Sequence, residues 1–169
     1  MTEVTISQAL RYASKLKNRI SEARKRAENS LNYKAGEATA FSFEKMMANA
    51  DAASSELAAL QGKLAAVNAS SLVEYKGDKI TLSHAVRVLQ ELKGRIAWVK
   101  ALPCQTTESV VSSDRVWDEG NEKYISKTVT TLCNLPEAKR SDLADALQEE
   151  FDSLNGAVES ANQKVTLTI

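Results

Sequence analysis

Between Phe43 and Val67, apolar residues recur at Phe43, Met46, Ala50, Ala53, Leu57, Leu60, Leu64 and Val67, in steps that alternate between three and four. That spacing lines one face of a helix, and when sustained it makes a heptad seam that must face another helix. Ser42 is placed to cap this helix, and Glu44 puts a negative charge in its first turn, where the helix dipole favours it. The same spacing recurs upstream. Ile6, Leu10, Ala13, Leu16, Ile20, Ala23 and Ala27 predict a first helix over about Ile6 to Leu31, with Thr5 or Ser7 as cap. The stretch NYKAGEATAFS then breaks the pattern.

Downstream, Leu82, Ala85, Leu89, Leu92, Ile96 and Val99 repeat the seam in a third helix, capped by Thr81 and ended by Pro103. Before it, LVEYKGDKIT carries a Gly77-Asp78 turn signal, and Val73, Tyr75 and Ile80 suit short extended pieces. From Cys104 to Leu135 the period changes. KYISKTVTTL, residues 123–132, is β-branched and alternating and predicts a strand. SVVSSDRVW is its candidate hairpin partner across the turn Glu119-Gly120-Asn121. Pro136 suits the first turn of a fourth helix, with a stripe of Leu143, Leu147, Phe151, Leu154, Val158 and Ala161. The tail KVTLTI is expected to be extended.

The expected fold class is mainly α: an elongated antiparallel helical bundle of about four long helices, coiled-coil-like, with a small β strand or hairpin inserted between helices 3 and 4. Residues 1–169 are expected to form one elongated helical domain, with a β-containing insertion at 104–135. Composition agrees with a helical reading, because aromatics are only 5% and alanine is abundant, which suits closely approaching helices.

Charge is balanced, with 22 Lys and Arg against 22 Asp and Glu, so net charge gives no reason to expect nucleic acid or an anionic membrane. Its distribution is uneven. Arg11, Lys15, Lys17, Arg19, Arg24, Lys25 and Arg26 face only Glu22, leaving +6 between residues 11 and 26 of the first helix. On the fourth, Glu137, Asp142, Asp145, Glu149, Glu150, Asp152 and Glu159 face Lys139 and Arg140, leaving −5. Two readings compete. The basic helix is either a surface for nucleic acid or lipid headgroups, or it lies beside the acidic helix, within a chain or between chains, and sets register. The balanced total favours the second.

The combination LAAVNASSLVEYKGDKITLSHAVRVLQELKGRI is a helix ending in Asn, a Gly-Asp turn, and Thr-Leu opening a helix with Leu-Lys-Gly-Arg-Ile. It is followed by a polar β stretch, an acidic helix and the ending SANQKVTLTI. This arrangement resembles a family of small uncharacterised bacterial proteins, some of which are labelled septicolysin. The likeness runs from about Ile6 to Ile169. It implies a cytosolic, α-helical, coiled-coil-like protein of unknown function; the label points to a toxin, and no catalytic or pore residue follows from it.

Sites of chemistry are sparse. Cys104, Cys133 and His84 fall short of the roughly four ligands of a Cys/His metal site. His84 and Cys104 sit at opposite ends of one predicted helix, roughly 30 Å apart, too far for a nucleophile and base. The six glycines form no phosphate loop. Gly62, Gly94 and Gly156 lie inside predicted helices, where they mark either close helix approach or simple surface tolerance. The carboxylate pairs Asp118-Glu119 and Glu149-Glu150 have no apolar pocket visible in sequence to make either an acid catalyst. Trp98, beside seam residues Ile96 and Val99, is expected in core or interface packing.

No enzyme activity and no cofactor are expected. Two cysteines and a start without an apolar signal segment predict a cytoplasmic protein with reduced thiols. No stretch has the roughly 18 to 20 apolar residues of a membrane span, so no integral membrane association is expected. The expected role is structural: a homo-oligomer that self-associates through leftover apolar seams, with the β segment near 109–132 and the tail near 164–169 adding strand pairing between copies. A nucleic-acid-binding module using the basic first helix is the alternative, and a membrane-active toxin a third.

Overall fold

In a computed structural model, which describes residues 2–34, 36, 38 and 40–169, three helices start where a side-chain cap makes them start. Thr5 accepts from the Gln8 N–H while the Gln8 side chain accepts from the Thr5 N–H, a capping box that opens α1 (Ile6–Asn29). Ser42 accepts from the Lys45 N–H at the start of α2 (Phe43–Ser70). Thr81 accepts from the His84 N–H at the start of α3 (Leu82–Ala101). The helix α4 (Glu137–Lys164) begins just after Pro136, whose carbonyl accepts from the Arg140 N–H. Of the predicted break after α1, the positions Ala35, Glu37 and Thr39 lie outside the described residues.

Six strands join these helices, all in antiparallel pairs: β1 (Glu3–Thr5) with β6 (Thr166–Thr168), β2 (Leu72–Tyr75) with β3 (Asp78–Thr81), and β4 (Ser109–Asp118) with β5 (Lys123–Leu132). The expected helical bundle with one inserted hairpin is therefore corrected, among the described residues, to four helices and three small two-stranded sheets, 61% of those residues helix and 21% strand. The reason is length and separation. A three-residue strand leaves no alternation to detect, and β1 finds its partner at the far end of the chain.

The chain divides into two compact units, one of residues 1–86 and 155–169 and the other of residues 87–154. In the first unit, α1 and α2 pack antiparallel, as the Tyr12 hydroxyl donating to Glu56 and the Arg26 guanidinium over the Phe41 ring both require. Their facing sides are mostly alanine: Ala9, Ala13, Ala23 and Ala27 on α1, and Ala50 and Ala53 on α2, with Leu16, Met46, Leu60 and Leu64 between them, all buried. The ends of the described chain meet here too. Thr2 and Ile169 exchange backbone hydrogen bonds at 3.0 Å, and the Ile6 N–H donates to the Val165 carbonyl. Strands β3 and β6 both lie against α2.

The β2–β3 hairpin turns on Lys76 and Gly77, both at positive φ (53° and 87°), so the predicted Gly77-Asp78 turn moves back by one residue and Asp78 opens β3. Positive φ at both central positions is the geometry of a two-residue hairpin loop whose twist matches that of its strands.

In the second unit, Leu92, Ile96 and Val99 of α3 pack with Ala144 and Leu147 of α4, against half-buried Val88 and Phe151. Arg140 donates to the carbonyls of Lys100 and Leu102 at 3.2 and 3.1 Å, tying the first turn of α4 to the end of α3. Leu143, placed on the core stripe by the sequence pattern, is 40% exposed, and Ala144 takes the buried position. Trp98, expected in packing, is 64% exposed.

Candidate interaction surfaces

The predicted helix seams are spent mostly within the chain. On α2, Met46, Ala50, Ala53, Leu60 and Leu64 are buried, Leu57 and Val67 are half-buried, and only Phe43 is substantially exposed. On α3, Leu82, Leu89, Leu92 and Ile96 are all buried. The extended tail pairs as β6 with β1 of its own chain. These features leave little apolar seam to offer another copy.

The longest uncovered element is the β4–β5 ribbon. Ten residue pairs run from Ser109 opposite Leu132 to Asp118 opposite Lys123. Eighteen of the twenty side chains are exposed, the exceptions being half-buried Asp118 and Val129. Alternation places Val110, Val116 and Ile125 on one face, and Val111, Trp117, Tyr124 and Leu132 on the other. Trp117 and Tyr124 meet edge to face at 5.0 Å. Asp114 stands opposite Lys127 and Asp118 opposite Lys123, pairs of opposite charge that fix the ribbon's own register. At its tip, Asp118 accepts from the Gly120 N–H and the Asn121 side chain, and the Asn121 bond holds its carboxyl below the usual aspartate range. Asp118 is thus a turn-former.

At the ribbon's base, Lys139 of α4 donates to Glu108 at 2.6 Å. The contact holds the Glu108 carboxyl below its ordinary value and raises Lys139.

The second surface is basic. Arg11, Lys15, Lys17, Arg19, Arg24, Lys25 and Arg26 are all exposed. They do not form one patch. With about 100° between successive residues, Lys17 and Arg24 fall on one flank of the buried stripe of α1, and Arg19 and Arg26 on the other. A shallow groove bounded by Lys17, Ile20, Ser21, Arg24, Lys25 and Glu28 marks the first flank. Arg19, Glu22 and Arg26 border Met46 and Asn49 of α2 on the second. Arg26 pairs with Glu22 at 3.7 Å; among the described residues no other of these seven has an ion-pair partner. The packing partner of α1 is α2, and the acidic residues 137–152 of α4 belong to the other unit.

The remaining candidates stand apart. His84 is exposed in the first turn of α3, and Cys104 and Cys133 are free and half-buried. Among the described residues, no three His, Cys, Asp or Glu side chains come together as a metal site, and no helix is long and apolar enough to cross a membrane. A side-chain methyl at Gly62, Gly94 or Gly156 would meet nothing within 4 Å, so these glycines do not mark close helix approach.

Comparison with known proteins gives a family and a fold. The model of a family described as Family of unknown function (DUF6847) matches residues 13–167. A crystal structure of a functionally unknown conserved protein from Corynebacterium diphtheriae superposes with a TM-score of 0.74 at 14% identity, covering 99% of this chain and 100% of that one. No curated protein matches. Neither description mentions septicolysin, so the resemblance holds only as far as an uncharacterised family.

Proposed function

We propose that this chain, which belongs to the Family of unknown function (DUF6847), is a structural interaction protein that self-associates, and is not an enzyme. The observation that carries this reading is the exposed β4–β5 ribbon. A lone two-stranded ribbon is at best marginally stable in water. This one also presents two unpaired edges and the exposed side chains of Val111, Trp117, Tyr124 and Leu132 on a single face. Soluble proteins protect such edges or use them. The heptad seams, the other source of apolar surface, are largely covered by the chain's own helices. Free cysteines suit a reducing, cytoplasmic setting.

Sedimentation velocity on the full chain across the micromolar range tests this. The reading expects a reversible shift to a larger species; a monomer at every concentration overturns it.

The exposed cations of α1 favour a second reading, nucleic-acid binding. Glu22 interrupts the row of Arg11, Lys15, Arg19 and Arg26 on one flank and pairs with Arg26, while Lys17 and Arg24 lie on the other, which ranks it below the first. If it holds, affinity for RNA or DNA falls steeply as salt rises; absence of binding at low salt ends it. A membrane-active role rests on the septicolysin label alone, and dye release from liposomes is its test.

A further inference from the structure

We infer that self-association proceeds by strand addition, the free edge of β5 pairing antiparallel with β5 of a second copy in a register centred on Thr128. The inference rests on the self-associating reading above and specifies its site.

The ribbon's own ladder shows which backbone groups are free. The Cys133 N–H donates to the Glu108 carbonyl at 2.8 Å, so 108 and 133 form a hydrogen-bonded pair. Bonded and non-bonded pairs alternate along an antiparallel ladder. Given the register, the pairs 110–131, 112–129, 114–127, 116–125 and 118–123 use their backbone groups inside the ribbon. The even residues of β5, Tyr124, Ser126, Thr128, Thr130 and Leu132, therefore turn N–H and C=O outward. So do the odd residues of β4 from Ser109 to Trp117. The outward set of β5 carries no charge, whereas that of β4 includes Arg115.

Two copies that join like edges are related by a two-fold axis normal to the sheet, and the residue on the axis stands opposite itself. Charge then selects the register, because like charges directly opposite are destabilising. On β4, centring on Asp114 or Arg115 sets like charges face to face. Centring on Ser113 avoids this but places outward-facing Arg115 against Val111. On β5, centring on Lys127 opposes two lysines. Moving the centre by one residue, to Thr128, places Lys127 against Val129, Ser126 against Thr130 and Tyr124 against Leu132. Leu132 and Tyr124, at 75% and 68%, are the two most exposed large hydrophobic residues among the described residues. Of the two one-residue shifts that separate the lysines, to Ser126 or to Thr128, only the second brings those two together, and it does so twice. The product is a continuous four-stranded sheet, β4–β5 of one copy beside β5–β4 of the other, which passes the minimum for independent stability.

The test is sedimentation velocity on the full chain and four variants, with circular dichroism as the check on folding. Thr128→Pro deletes an outward N–H and leaves the bonded pairs with β4 intact, so the dissociation constant should rise by about tenfold or more. Ser113→Pro does the same on the β4 edge and should leave association unchanged. Val129→Glu sets a carboxylate opposite the second copy's lysine at 127 and should tighten association by roughly threefold to tenfold, while Val129→Lys should weaken it by a similar factor. Within the chain, residue 129 lies diagonal to Asp114, so the hairpin's own preference runs the other way. A wild type that associates while Thr128→Pro associates equally well, or while both Val129 variants behave alike, overturns the strand register and leaves self-association standing. A monomeric wild type overturns the self-associating reading itself.

Discussion

At Lys76 and Gly77 the backbone is left-handed, and only the glycine adopts that conformation without cost. A methyl added at Gly77 would meet nothing within 4 Å, so Gly77→Ala tests backbone strain alone. It should destabilise the protein by about 1–2 kcal/mol in chemical denaturation. Gly62→Ala makes the opposite prediction. Gly62 sits inside α2 with a helical backbone and open space around it, so alanine should stabilise by up to about 1 kcal/mol. Equal signs for the two would contradict this account. Much at this scale was legible in the sequence. Ser42 and Thr81 were visible as caps, and Thr5 as one of two candidates with Ser7, because a cap acts within three residues of itself. The exposure of Trp98 was not, because a step of only one or two residues, about 100° to 200° around the helix, separates a buried face from an exposed one, and the residue type alone favoured burial.

At the scale of elements, the alanine face between α1 and α2 sets how near those helices come. Ala50 is fully buried. Ala50→Leu keeps the apolar pattern and should still cost about 1–3 kcal/mol through overpacking; a neutral result in thermal unfolding would mean the helices are further apart than the alanines imply. The ion pair between Glu108 and Lys139 makes a pH prediction. Its favourable effect is present between the ordinary carboxyl value of 4.5 and the ordinary lysine value of 10.5. Because the folded Glu108 value is lowered, the effect fades as pH falls through that lower value. Because the folded Lys139 value is raised, it also fades as pH rises through that higher value. Both side chains are mostly exposed, so the effect is small and screened by salt. The stability difference between wild type and Glu108→Gln, measured in low salt, should shrink towards zero on acidification; a gap that widens would contradict the assignment. The ribbon's strands were legible from their alternation. The β1–β6 pair was not, since Glu3–Thr5 carries no periodic signal and its partner Thr166–Thr168 lies at the opposite end of the chain.

For the whole molecule, the heptad seams announced that helix faces must be covered, but a seam does not say by which helix or from which chain. Here most of that seam is covered within the chain, and the ribbon carries the densest group of exposed apolar side chains, beside single exposed residues such as Trp98. The distribution of charge was equally visible in sequence and equally silent on geometry: α1 packs on α2, and its cations divide between two flanks. The account's central claim is that the ribbon edge is where one copy meets another. Sedimentation velocity on the wild-type chain beside Thr128→Pro, at matched micromolar concentrations, addresses it most directly. The account predicts a reversible dimer for the wild type and a folded monomer for the variant. A wild type that stays monomeric, or a variant that dimerises as well as the wild type, would contradict it.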